Sequence, residues 1–196
     1  FRRVLFRSDS HHQQWAYGAL RAGLIDFDRK HGYRGPESFI DMSSLQGEDV
    51  GMALDDALSE IRDSGDMLPA VVQTVRANEV RAYMRGGKIA VISGPGLDFA
   101  RRSLSPRLPA QQQIRPGAVI RIRANERGYW EIVQMPEVEG AFVSLDTRTG
   151  AIKALVGGFD FNRRSFNHVT QAWRQPGSTF KPFIYSAALD RGLTTS

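Results

Sequence analysis

Arg174-Gln175-Pro176-Gly177-Ser178-Thr179-Phe180-Lys181-Pro182-Phe183 sets a hydroxyl and an amine three residues apart. On a helix, positions i and i+3 share a face, so the Lys181 amine can reach the Ser178 hydroxyl. A serine is a weak nucleophile until a neighbouring base takes its proton, and a neutral lysine can be that base. Pro176-Gly177 predicts a fixed turn with room for a substrate's backbone. Pro182 is tolerable only if the helix starts near Ser178, because a first-turn proline loses no helical hydrogen bond. The serine is therefore expected at a helix N-terminus, where free N–H groups favour a developing negative charge. The chain holds fifteen serines and four lysines. The tetrapeptide alone thus has a second reading, a plain helix start with Ser178 as N-cap.

Working outward, residues 143–158 read as two apolar-rich strands around a turn containing Gly150. Further upstream, residues 70–77, 80–84, 88–93, 118–124 and 129–134 are each rich in Val, Ile or aromatics. Gly86-Gly87 and residues 125–128 read as hairpin turns. Five short strands with tight turns predict a small antiparallel barrel of the OB type. Residues 97–113, polar and proline-containing, are expected as an insertion outside that barrel. Alternation puts Val119, Arg121 and Arg123 on one face of their strand and Ile120 and Ile122 on the other. Before the barrel, residues 13–30 repeat apolar positions at helical period, with Trp15, Ala19, Leu20, Leu24 and Phe27 as the expected buried face. Residues 49–62 form a second amphipathic helix, with Met52, Leu54, Leu58 and Ile61 as its candidates. Asp26 and Asp28, near the first helix end, read as solvated.

Composition narrows the classes. The chain has 196 residues, 41% of them hydrophobic, which suits one folded domain or two small ones. No run of eighteen apolar residues is present, nor a signal peptide with an apolar core. Cysteine is absent, which excludes disulfides and thiolate metal sites. The formal charge is +5, but residues 1–8, Phe-Arg-Arg-Val-Leu-Phe-Arg-Ser, match in full the translation of a sequencing-adapter oligonucleotide. They are set aside as an assembly artefact. Without Arg2, Arg3 and Arg7, 23 basic side chains face 21 acidic ones. That balance gives no support to a nucleic-acid or anionic-membrane partner. OB barrels often bind single strands through aromatics on a basic face. Here the strands offer only Tyr83, Tyr129 and Trp130, with Arg121 and Arg123, and the plainer reading puts one of Tyr129 and Trp130 inside and one at the rim. His11, His12, His31 and His168 lack ligand spacing, so no metal is expected. Lys153 reads as a surface residue.

Several separated stretches carry a family likeness. They are residues 143–158, Phe159-Asp160-Phe161-Asn162, Phe166-Asn167-His168-Val169-Thr170-Gln171-Ala172 and the serine motif. To these add Arg29-Lys30-His31-Gly32-Tyr33-Arg34-Gly35-Pro36-Glu37 and Gln134-Met135-Pro136-Glu137-Val138-Glu139-Gly140-Ala141. In order and spacing the chain resembles the class A penicillin-binding proteins of the 1A type, the bifunctional enzymes that build bacterial peptidoglycan. The resemblance implies an α+β chain. Residues 9–35 would be a helical linker from a glycosyltransferase domain, residues 36–139 an OB-like accessory module, and residues 140–196 the start of a β-lactamase-like transpeptidase domain. It implies Ser178 as nucleophile and Lys181 as its base, without cofactor or metal. It further implies stem peptides as substrates, β-lactams as inhibitors and protein regulators at the barrel. An N-terminal membrane anchor upstream would hold the enzyme on the periplasmic side of the inner membrane. Ser-x-Asn and Lys-Thr-Gly motifs would lie downstream. A carboxypeptidase or β-lactamase using the same Ser-x-x-Lys is the neighbouring alternative, and a non-enzymatic OB binding module the more distant one. The 196-residue chain by itself is expected to be inactive.

Overall fold

The computed structural model describes residues 9–44 and 50–193. The octapeptide read as an artefact lies outside the described residues, as does residue 49 at the expected start of the second helix. Helix α1 (Ser10–Arg29) opens on Asp9, whose backbone is extended and whose side-chain Oδ1 accepts the His11 N–H at 2.8 Å, satisfying an otherwise orphan donor. Its buried face is Ala16, Arg21, Ile25 and Asp28, with Leu20 and Leu24 half-buried. The expected face was therefore turned too far: Trp15, Ala19 and Phe27 are exposed. Asp28 corrects the sequence reading further. It is 4% exposed. Both its oxygens accept from Arg34 Nη1, at 2.9 and 3.0 Å, and Oδ2 also accepts from Gln134 Nε2 at 2.7 Å. A count of apolar positions cannot detect a helix face made partly of paired charges.

Short strand β1 (Ser38–Phe39) and helix α2 (Val50–Ser59) precede the barrel proper. The barrel comprises β2 (Leu68–Arg76), β3 (Glu79–Met84), β4 (Lys88–Ser93), β5 (Ala118–Ala124) and β6 (Trp130–Val133). The order is β1-β5-β2-β3-β4-β6, and β5 also pairs with β6, so the sheet closes on itself. Closure removes the open edges that a five-stranded sheet would otherwise present. Among the described residues all ladders are antiparallel except the parallel contact of Ile92 with Trp130 that joins β4 to β6.

Alternation on β5 follows the expected register. Ile120 and Ile122 point into the barrel core with Val72, Val80 and Ile92. Alanines at 70, 82 and 90 leave room for them. The other face of β5 is also covered. Val119 packs with Leu54 and Leu58 of α2, and Arg121 is buried against Glu37 at 2.9 Å. Met52 of α2, an expected core residue, is 67% exposed. Gly117, just before β5, has φ +87, and a Cβ there would lie 2.3 Å from the Ile40 carbonyl oxygen. Only glycine permits that approach.

The 97–113 segment differs most from expectation. A 3-10 run, Gly94–Leu104, packs on β6, and Leu97 and Ala100 are fully buried in the barrel core with Ile114 beside them. It closes one end of the barrel rather than leaving it as a polar excursion. Tyr129 is 69% exposed, while Trp130 is half-buried against the core.

After the barrel, β7 (Phe142–Leu145) and β8 (Ile152–Val156) form an antiparallel hairpin. Helix α1 lies across it, packing Ala16 and Leu20 on Ala154 and Val156. The Gln13 carboxamide donates to the Leu155 carbonyl (2.8 Å) and accepts the Leu155 N–H (3.0 Å), taking the place of a neighbouring strand. The last described element is α3 (Lys181–Asp190). Among the described residues, no helix is long and apolar enough to cross a membrane.

Candidate active site

The segment from β8 to the serine motif is held by polar contacts near its base. The Gly157 carbonyl accepts the His168 N–H at 2.8 Å and lies 2.8 Å from His168 Nδ1. Asn167 Oδ1 accepts the N–H groups of Val169 (2.9 Å) and Thr170 (3.2 Å), a local turn of the kind asparagine favours. The tripeptide Ser165-Phe166-Asn167 carries the letters of the Ser-x-Asn motif, upstream of Ser178 rather than downstream. Its asparagine is committed to shaping the loop.

Ser178 lies in a single 3-10 turn, Gly177–Phe180, that runs directly into α3. Gly177 enters the turn at φ +51, a conformation costly for other residues. The Ser178 carbonyl accepts the Lys181 N–H, and Pro182 occupies the first turn of α3. The helix thus begins at the serine motif, and Ser178 and Lys181 lie one turn apart. Both side chains are exposed, and no hydrogen bond joins the hydroxyl to the amine. Helix α3 buries no residue. Phe183, Ile184, Tyr185 and Leu189 are 54–67% exposed. A helix apolar on all sides is one built for an interior.

At the hairpin turn, the Asp146 carboxylate accepts from Thr149 Oγ1 (2.9 Å), Thr149 N–H (2.9 Å) and Arg148 N–H (3.1 Å). The Thr149 hydroxyl and amides, with Lys153 behind them, hold its carboxyl below the usual range. A lowered folded value stabilises the turn above the unfolded carboxylate's value, about 3.9, and that stabilisation is lost as pH falls through the folded one. The Thr149 amide is therefore expected to be protected from exchange at neutral pH and to lose protection only as pH falls through that lowered value, below the ordinary carboxylate range. Protection that stays constant under acid titration would contradict the turn's dependence on that carboxylate. Lys153 reaches Asp146 at 3.8 Å and serves this turn. Among the described residues no group of His, Asp and Glu could hold a metal ion.

The family model described as "Penicillin-binding protein OB-like domain" matches residues 33–138. The chain belongs to the penicillin-binding proteins. A second model, "Penicillin binding protein transpeptidase domain", matches residues 140–196. The barrel of this α+β chain is therefore the OB-like domain, and the segment from β7 to α3 is the start of the transpeptidase domain. The penicillin-binding protein 1A of Neisseria lactamica is 48% identical over 186 residues, which are 94% of this chain and 23% of that protein. Its counterpart in Pseudomonas aeruginosa is 41% identical over 191 residues, covering 94% of this chain and 22% of the relative. The 2.6 Å crystal structure of penicillin-binding protein 1A from Haemophilus influenzae superposes with a TM-score of 0.77 at 32% identity, over 96% of this chain and 27% of that one. The chain thus spans about a quarter of the length of these relatives.

Sequence reasoning missed Arg21, Asp28 and Gln134, all buried polar residues at the junction of α1, barrel and transpeptidase segment. Apart from the contacts of Arg21 with Tyr17 and of Asp28 with Arg34, their partners lie 43 to 138 residues away in the chain, so no local pattern marks them.

Proposed function

We infer that this chain supplies the nucleophile end of a peptidoglycan transpeptidase. Ser178 Oγ attacks the penultimate D-alanine carbonyl of a stem peptide and Lys181 takes its proton. D-alanine leaves, and an amino group of a neighbouring stem resolves the acyl-enzyme as a cross-link. The Ser178 N–H would donate to the oxyanion. A β-lactam mimics the substrate and acylates the same serine. Supporting this reading is the coincidence of Ser-x-x-Lys with a 3-10 turn entering a helix, inside the segment that matches the transpeptidase model. In the whole protein a glycosyltransferase domain and a membrane anchor would precede this chain, the enzyme would face the periplasm, and protein regulators would meet the barrel. Arg121 and Arg123 are engaged by Glu37 and Glu131 rather than held out for phosphates.

The test is a penicillin adduct mapped by mass spectrometry in the full-length protein. The adduct is expected on the peptide containing Ser178. An adduct on any other serine, or none, would reject the reading. The 196-residue polypeptide is expected to stay unmodified under the same conditions. A lysine serves as base only where burial or a neighbouring cation favours its neutral form, and Lys181 is exposed in this chain. Stoichiometric acylation of the isolated chain would show that enclosure of Lys181 is not required.

A further inference from the structure

The Arg21 guanidinium reaches three separate parts of the chain. Through Nη2 it donates to the Ser64 carbonyl (2.9 Å) and to Asp66 Oδ1 (3.2 Å), in the turn before β2. Through Nη1 it donates to the Phe159 carbonyl (3.3 Å), beyond β8, and to Tyr17 on its own helix (3.3 Å). Its carbon centre stands 4.2 Å from the Phe159 ring centroid. The Arg21 side chain is 8% exposed and Phe159 1%. Gly65 has φ +60, and a Cβ there would lie 3.1 Å from Arg21 Nη2, so the turn is shaped around the guanidinium.

Burying a guanidinium is costly unless its donors are satisfied, and an apolar side chain would fill the same space at less cost. What arginine adds is a planar fork that fixes several acceptors at once. Here the fork fixes α1, the barrel and Phe159 relative to one another. Phe159 is also the fastening point of the segment that leads to the nucleophile. Its N–H donates to Glu139 Oε2 at 3.2 Å, and it follows Gly157, whose carbonyl holds His168.

We propose that Arg21 is a positioning residue for acylation of Ser178, through which α1 and the barrel set where the nucleophile-bearing segment leaves β8. The proposal rests on the acyl-serine reading given above. A displacement of about 1 Å far from the reacting atoms can cost on the order of a hundredfold in rate.

The test uses the full-length protein and benzylpenicillin, with acylation followed over a range of concentrations to separate the dissociation constant from the acylation rate constant. Arg21→Met keeps the volume and removes the fork; Arg21→Lys keeps the charge and removes the fork. In both, the acylation rate constant per folded molecule is expected to fall by roughly ten- to a hundredfold with the dissociation constant unchanged. Hydrogen exchange is expected to rise in residues 157–171 and stay unchanged in the barrel strands. A purely structural role would lower the melting temperature and leave the rate constant of the folded fraction intact. That outcome, or unaltered exchange in 157–171, would overturn the proposal. Should Arg21→Met fail to fold, Arg21→Lys and Phe159→Leu carry the same readouts. Failure of the unmutated protein to acylate would instead sink the acyl-serine reading, and this proposal with it.

Discussion

Ser178→Ala in the full-length protein is expected to abolish covalent labelling by fluorescent penicillin. The acyl bond forms at Oγ, and alanine offers no atom to take its place. Lys181→Ala should lower the acylation rate by roughly 10²–10⁴-fold, the usual contribution of a positioned general base. Lys181→Arg separates the two ways a cation could help. A guanidinium keeps the positive charge but cannot be deprotonated in a protein, so it cannot accept the serine proton. If Lys181 is the base, arginine should be as slow as alanine. Near-normal labelling of Lys181→Arg would mean that the residue acts through its charge, and the proton would need another acceptor. Gel fluorescence and intact-mass spectrometry both report the outcome. The placement of the pair makes the comparison clean. Lys181 is the first residue of α3 and Ser178 belongs to the 3-10 turn before it, so neither substitution removes a buried contact in the described chain.

How much of this was legible in the sequence depended on the range of the interactions. The barrel strands were found to within two residues at each end because period-two burial and turn glycines are local signals. The serine motif was found because its members are three residues apart. The first part of the expected 97–113 insertion was misread because it buries Leu97, Ala100 and Ser103, a spacing of three that matches neither a strand nor an α-helix. The α1 face was misread because Arg21 and Asp28 count as polar in any periodicity, yet they are buried by partners distant in sequence. Met52 was misread because it lies two residues from Leu54 on α2 and so turns away from the barrel. In each case the missing information was the identity of the neighbour.

Ile122→Asp and Ile120→Asp are each expected to destabilise the chain by roughly 4 kcal/mol or more, most of the stability of a domain at the low end of the usual range of about 5–15 kcal/mol. Both side chains are fully buried in the barrel core. Ile122 stands opposite Leu68 on β2 and Ile132 on β6, and Ile120 opposite Ala70 on β2. The buried side chains of the core cluster around them are all aliphatic. A carboxylate placed there loses its hydration and gains no hydrogen bond, and protonation only reduces that cost. Relief by rotation is blocked, because β5 is covered on both faces and a slip of one residue would drive Val119 and Arg121 inward together. The neighbouring strand supplies the control. Val91 lies on the outer face of β4 and is 44% exposed, so Val91→Asp should change stability by only about 0.5 kcal/mol. The comparison therefore isolates burial from strand propensity, since aspartate is a poor strand residue at all three sites. Urea unfolding followed by tryptophan fluorescence reads the difference, with half-buried Trp130 packed on the same core. Unfolding midpoints for Ile120→Asp and Ile122→Asp as high as that of Val91→Asp would mean that the barrel closes with β5 in another register.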